Sequence, residues 1–379
     1  MSASNGKRPH AEIAGAGFAG LTTAVALRQR GWTVRVHEKG SDFREFGAGL
    51  VIWHNGLRVL EEIGALDDVL GSSFTPPVYE TRVQNVTVSK EAFGGLPWRT
   101  LTRQRLYQAI LSAARREGVD LVLDSEVVSA EPGGQLVLAS GEKLPADLVV
   151  GADGVRSAVR EGAGFVREVE GSRDGITRFL VPRLKDRLGP GEWDNVIDFW
   201  NFEPRTLRIL YVPCSDRDLY VALMAPRQDA DGSRVPIDKP LWTEIFPHLE
   251  PVLEAASHLS GRYDGYETSV VREWTKGRIA LVGDAAHAMC PALAQGVGCA
   301  MVNGFALAIA ASDGGMGTLD GRLRDWEGTI RPVTDRCQAL SAGFARTRNM
   351  SKGGQFTAEA LEAARYDPVS GDLVALGEL

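Results

Sequence analysis

The run Ala11-Glu12-Ile13-Ala14 is almost wholly apolar, Leu21 to Arg30 is rich in Ala and Leu and stops at Gly31, and Thr33 to Glu38 alternates apolar with polar. Strand, helix and strand at this close spacing predict a compact β-α-β unit. The run Arg44 to Leu60 then reads as a glycine-hinged loop leading into a helix with apolar residues at Leu57, Leu60 and Ile63. Tyr79 to Val83 and Asn85 to Lys90 read as short strands after Pro76-Pro77, and Leu101 to Arg116 places Leu101, Leu106, Ile110 and Ala113 along one helical face. Leu121 to Leu123, Leu136 to Ala139 and Leu148 to Val150 are apolar runs of strand length.

From about Ile176 to Ser269 the pattern changes. Strand-like runs such as Thr177 to Val181, Leu207 to Val212 and Leu219 to Met224 are separated by turns such as Gly189-Pro190-Gly191, which predicts an antiparallel sheet rather than further β-α-β units. The earlier pattern resumes at Arg278 to His287, a strand ending in a turn, followed by a small, apolar helical stretch from Leu293 to Ala311. Trp326 to Arg346 is helical, and Ala358 to Arg365 reads as an amphipathic helix before an irregular tail.

A chain of 379 residues with 44% apolar content can hold one large or two intertwined domains. Its net charge of -7 argues against a nucleic-acid partner or an anionic membrane surface, both of which need clustered positive charge. Cys214, Cys290, Cys299 and Cys337 lack metal-ligand spacing and read as reduced thiols of a cytoplasmic protein, with no metal site. The polar leader Met1 to His10 lacks the apolar core of a signal peptide, and the apolar stretch Ile279 to Ala311 is interrupted by Asp284, His287, Gln295 and Asn303, so it reads as internal.

The chemistry begins at Gly15-Ala16-Gly17-Phe18-Ala19-Gly20. Gly15 suits a tight turn, Gly17 close backbone approach to a pyrophosphate, and Gly20 close helix–strand packing. Glu38 ends the second strand at about the twenty-residue spacing from which an acidic side chain reaches the ribose of an adenine dinucleotide. NAD, NADP and FAD all remain compatible with this corner. Two further strand-end turns follow, Gly151 to Ser157 and Gly283 to His287, and Arg103 stands near the start of the helix between the first two.

With these three turns in order, the chain resembles the class A flavin-dependent aromatic hydroxylases, the family of the para-hydroxybenzoate and salicylate hydroxylases. The resemblance spans about Ala11 to Arg346. It implies an α/β fold: a discontinuous Rossmann-like FAD-binding domain (residues 9–75, 99–172 and 273–345), a β-sheet substrate domain (76–98 and 173–272), and a C-terminal helix and tail (346–379). It also implies that Gly15, Gly17, Gly20 and Glu38 hold the adenosine diphosphate of FAD, with Phe18, Ala19 and Lys39 also among the cofactor-binding residues. Arg44, Gly49 and Arg103 would contact the cofactor, Asp153-Gly154 would serve FAD and the pyridine nucleotide, and Asp284 would hold the ribityl or pyrophosphate region. Pro291, Ala294, Gln295, Gly296 and Val297 would bind the cofactor, the segment Pro291 to Gly298 setting free backbone N–H groups against the flavin pyrimidine edge. The sequence departs from the commoner family pattern at Ala288, Ala294, Gly298 and Val302-Asn303.

The runs Trp53 to Leu60, Gly191 to Asn195, Gly283 to Gly296 and Ala363 to Pro368 resemble the members of that family that oxygenate and open hydroxypyridinecarboxylate rings. This implies FAD, NADH or NADPH as electron donor, dioxygen, and a flavin hydroperoxide as oxidant, acting on a small aromatic or heteroaromatic carboxylate. Arg208 would bind the substrate carboxylate, Tyr220 and Tyr79 would meet the ring hydroxyl or order water beside it, and Pro291 would stand with them among the catalytic residues. Val51 stands where the resemblance leads to a tyrosine. A surface arginine and core tyrosines remain the bland readings of Arg208, Tyr220 and Tyr79, and His54 and His287 suit packing as well as catalysis. Simple ring hydroxylation, a flavin dehydrogenase and a non-catalytic flavin redox sensor remain the alternatives, and homo-oligomer formation is open.

Overall fold

The computed structural model describes residues 8–43, 48–313, 318–348 and 355–377. Its central strand is His10–Ala14, inside a six-stranded sheet ordered 275–276, 279–281, 148–151, 10–14, 33–37 and 120–122. All neighbours run parallel except the hairpin Thr275–Lys276 with Ile279–Leu281. Ile13 pairs with Val150 on one side and Val36 on the other, and all three are buried. Helices Phe18–Gln29 and Gly296–Ser312 pack together, so both carry apolar residues on nearly every face, as a doubly covered parallel sheet requires.

The second sheet has seven strands, ordered 263–271, 167–182, 218–226, 207–213, 196–201, 79–83 and 86–91. It is antiparallel with one exception: Tyr79–Val83 runs parallel to Val196–Asn201, because it enters from a different part of the chain. Strand alternation decides which side chains reach the site. Leu207, Ile209, Tyr211, Val221 and Leu223 face a core with Trp242 and Leu253 from helices Lys239–Ile245 and Glu250–Ser257, which the strand-like sequence pattern did not announce, and with Phe246 just after the first of them. The intervening Val212, Tyr220 and Ala222 join a different core, with Trp53, Phe93, Trp98, Leu293 and Phe356, that ties this sheet to the first.

The discontinuous α/β fold expected from the sequence is the fold observed. Several local expectations change. The loop expected ahead of the Leu57 helix contains the buried strand Gly49–Trp53, paired with Trp98–Thr102, because Leu50-Val51-Ile52-Trp53 is an unbroken β-favouring run. The helix expected from Leu101 starts at Arg103, where Thr102 Oγ1 accepts from the Arg105 N–H at 3.3 Å. The tail helix contracts to Glu362–Arg365. Among the described residues no helix is long and apolar enough to cross a membrane.

Candidate active site

The glycine corner is built as a cradle. Gly15 has φ +97°, and a Cβ there would lie 2.4 Å from the Ala152 carbonyl oxygen; a Cβ on Gly20 would lie 2.0 Å from the Gly15 carbonyl oxygen. Gly17 differs: a Cβ there meets nothing within 4 Å. The helix that follows has no side-chain cap and no acidic residue in its first turn, so its N–H groups and dipole favour an anion in the open space beside Gly17. Phe18 and Ala19 open that helix, and the Arg103 guanidinium lies 4.9 Å from the Phe18 ring centre.

Glu38 is held at the end of its strand, where its carboxylate accepts from the N–H groups of Ala16 at 3.1 Å and Gly40 at 2.9 Å. Lys39 follows it at the surface side of the turn. Beneath lies a buried relay that sequence reading missed. Glu12 bonds His37 Nε2 at 2.7 Å, His37 Nδ1 bonds Ser125 Oγ at 2.7 Å, and the Ser125 N–H donates to the Glu38 carbonyl at 2.9 Å. Burial pushes the Glu12 carboxyl up, but bonds from His37 and His10 outweigh it and hold the group below its ordinary 4.5. A lowered folded-state value stabilises above the ordinary range, and that contribution disappears as pH falls through the lowered value. The Tm deficit of Glu12→Gln relative to wild type is therefore expected to be full at neutral pH and to shrink below about pH 4.5; a deficit constant from pH 7 to 3 would reject the ionised carboxylate as the source.

Of the other residues expected at the cofactor, Arg44 lies outside the described residues. Asp153 caps a short helix, accepting from Ser157 Oγ at 2.5 Å and the Val159 N–H at 3.0 Å, and Gly154 turns the chain at φ +82°. Asp284 opens the short helix Asp284–His287 after Gly283. Gly49 faces the substrate sheet: a Cβ there would lie 2.5 Å from Tyr220 Cβ. Ala294 has φ +52° and its carbonyl accepts from Trp53 Nε1 at 3.1 Å, while the Gln295 amide donates to the Ala360 carbonyl at 2.6 Å. Gly296 and Val297 then begin a helix with no side-chain cap and no acidic residue in its first turn. His287 is buried, accepts from Asn303 at 3.0 Å and is pushed down to about 4 by burial, which keeps it neutral.

Pro291 borders a cavity lined on the sheet side by Trp200, Arg208, Met224 and Tyr266. Its free volume is about 20 Å³, room for about one water as the side chains stand. The Arg208 guanidinium forks onto Asp198, Nε to Oδ1 at 2.6 Å and Nη2 to Oδ2 at 3.0 Å, and lies 5.0 Å from the Trp200 ring centre. Burial works against its charge, but Asp198 raises its pKa overall. Tyr79 donates to Asp198 Oδ2 at 3.0 Å and accepts from Gln355 at 3.2 Å; burial and the neighbouring carboxylate keep its hydroxyl protonated. Arg208 and Tyr79 are thus brought together through Asp198. Tyr220 is buried one strand away, against Gly49, and does not line this cavity. Tyr266 and Cys290 do line it, and burial raises both, Cys290 to about 11, so both are neutral donors. No local motif marks either: Cys290 reads in sequence only as a free thiol.

Residues 10–315 match the family model of the FAD binding domain. The chain belongs to the FAD-dependent aromatic monooxygenase family. FAD is the cofactor of this family, and the open space at Gly17, the cradle around it and the uncapped helix starts fit it. A solved tetrameric form of 2-methyl-3-hydroxypyridine-5-carboxylic acid oxygenase is 58% identical, with 97% of this chain and 99% of the other covered and a TM-score of 0.95. A putative 2-heptyl-3-hydroxy-4(1H)-quinolone synthase of Rhodococcus erythropolis is 35% identical over 91% of this chain and 90% of its own length. The 6-hydroxynicotinate 3-monooxygenase of Bordetella bronchiseptica is 25% identical over 78% of this chain and 80% of its own.

Proposed function

We propose that this monooxygenase uses NADH or NADPH and dioxygen to oxygenate a hydroxypyridinecarboxylate, of the 2-methyl-3-hydroxypyridine-5-carboxylate or 5-hydroxynicotinate type, with opening of the ring. The observation that carries this reading is the cavity beside Pro291, lined by a buried arginine and a protonated tyrosine. The 58% identity to the hydroxypyridinecarboxylate oxygenase supports the ring class.

Bound FAD supplies the activation of dioxygen. The rest is assigned to the chain. Gly17 and the helix start behind it hold the pyrophosphate, and Glu38 the ribose. The uncapped helix start at Gly296 and Val297 favours negative charge on the flavin edge. Arg208, rigidly forked on Asp198, orients the substrate carboxylate, and the neutral Tyr266 hydroxyl donates to the ring oxygen without adding a charge. Self-association accompanies this reading, supported by the tetrameric form of the similar oxygenase.

The test is NADH and NADPH oxidation by the FAD-loaded enzyme with a panel of hydroxypyridine- and hydroxybenzoatecarboxylates, followed by product mass and ultraviolet absorbance. The expected result is stimulation by a hydroxypyridinecarboxylate and an oxygenated product that has lost its ring absorbance. An oxygenated product with its ring absorbance intact would make the enzyme a simple hydroxylase. No stimulation by any hydroxypyridinecarboxylate would reject the substrate class.

A further inference from the structure

The cavity has a second arginine, and neither the family resemblance nor the reading above gives it a role. Arg348 ends the long helix Leu319–Thr347 at φ +49°, with its N–H donating to the Phe344 carbonyl. A non-glycine residue in that region is strained and needs support from its surroundings. Asp174 provides it: Arg348 Nε donates to Oδ2 at 3.0 Å, and Nη2 donates to Oδ1. Asp174 sits where the register between strands 167–182 and 263–271 breaks, between Gly171 and Gly175. Such bulges re-aim side chains and concentrate beside active sites.

A helix end and a bulge, each locally irregular, thus place an ion pair on the wall of the cavity that holds Arg208 and Pro291. The pair is buried, its side chains 10% and 4% exposed. Its geometry repeats that of Arg208 with Asp198: in both, Nε and Nη2 bind the aspartate, and the Nη1 edge makes no aspartate contact. Each pair is neutral as a unit, so the cavity does not attract anions by net charge. Recognition of an acid then falls to directed N–H donors, and a guanidinium fixed by an aspartate supplies them at low entropy cost.

We propose that Arg348 is a specificity-determining residue whose Nη1 edge donates to the carboxylate of the aromatic substrate, with Asp174 as its positioning partner. This rests on the proposed function and deepens it: the cavity would read the carboxylate from two walls, from the sheet through Arg208 and from the helix end through Arg348.

The experiment compares 5-hydroxynicotinate with 5-hydroxynicotinamide, which keeps the ring and its hydroxyl and removes the charge. Dissociation constants come from the change in flavin absorbance of FAD-loaded wild type, Arg348→Met and Arg348→Lys. Wild type is expected to prefer the acid by at least about tenfold, and Arg348→Met to lose about tenfold of that preference through weaker acid binding, with amide binding unchanged. Arg348→Lys, which keeps the charge without the planar fork, should fall between them. An unchanged acid-to-amide ratio in Arg348→Met, or equal weakening of both ligands, overturns the inference and leaves a structural ion pair. If Arg348→Met does not retain FAD, the ratio in Arg348→Lys decides in the same way. Wild type that binds neither compound overturns the proposed function along with this inference, whereas wild type that binds both but the acid no better than the amide overturns the inference and the carboxylate role of Arg208 and leaves the ring class standing.

Discussion

Arg208→Met is expected to destabilise the protein by about 3–5 kcal/mol and to abolish substrate-stimulated NADH oxidation. The reason lies in Asp198, which is fully buried and accepts two hydrogen bonds from Arg208 and one from Tyr79. Methionine fills much of the volume but supplies no donor, so the carboxylate keeps only the Tyr79 hydroxyl and must either stay as an uncompensated buried charge or take up a proton. Surface ion pairs contribute about 0–1 kcal/mol, but this pair, with side chains 11% and 1% exposed, is not a surface pair. Asp198→Asn alone leaves the buried guanidinium without its counter-charge and should also be strongly destabilising. The double variant Arg208→Met with Asp198→Asn removes both charges and should recover much of the lost stability without recovering activity. Urea unfolding of the three variants checks this. A loss below about 1 kcal/mol in Arg208→Met would mean that Asp198 finds compensation elsewhere.

That fork also explains why the two ends of the site were unequally legible in the sequence. The dinucleotide corner is dictated by local backbone geometry: Gly15 and Gly20 leave no room for a Cβ, and Gly17 leaves space, so the motif carries its own structural reason. The sheet alternation that sends Arg208 to one face and Ile209 to the other is equally local. What the pattern could not show is the partner. Asp198 lies on the neighbouring strand, across from Leu210 rather than Arg208 in register, and only the assembled sheet joins the two. Tyr266, Asp174 and Arg348 come from an edge strand, a bulge and a helix end, and none of these irregularities has a periodic signature. The strand Gly49–Trp53 looks like a loop in the sequence because its flanking glycines mask four consecutive β-favouring residues. The Glu12 relay is invisible for a related reason: nothing in the sequence joins an acidic residue inside an apolar strand to the two histidines, His37 and His10, that bond it in the fold.

Gly17→Ala and Gly20→Ala are expected to separate cofactor binding from folding at the corner they share. At Gly20 the new Cβ would overlap the Gly15 carbonyl oxygen at 2.0 Å, and the obstacle is backbone, which cannot turn aside as a flexible side chain could. Overpacking of this kind costs about 1–3 kcal/mol and forces the helix away from the strand, so Gly20→Ala should lower the Tm of the apoprotein as well as lose FAD. Gly17 has φ -74° and ψ -175°, extended backbone that alanine adopts freely, and its Cβ would meet no protein atom within 4 Å. Gly17→Ala should therefore leave apoprotein stability within about 0.5 kcal/mol of wild type. Its methyl group enters the space through which the helix N–H groups reach an anion, and FAD affinity should fall by about a hundredfold, near 3 kcal/mol. Flavin fluorescence titration of the apoproteins and their thermal melts give both quantities. Tight FAD binding by Gly17→Ala would place the pyrophosphate elsewhere, and a depressed apoprotein Tm in that variant would mean that the space beside Gly17 is needed by the fold itself.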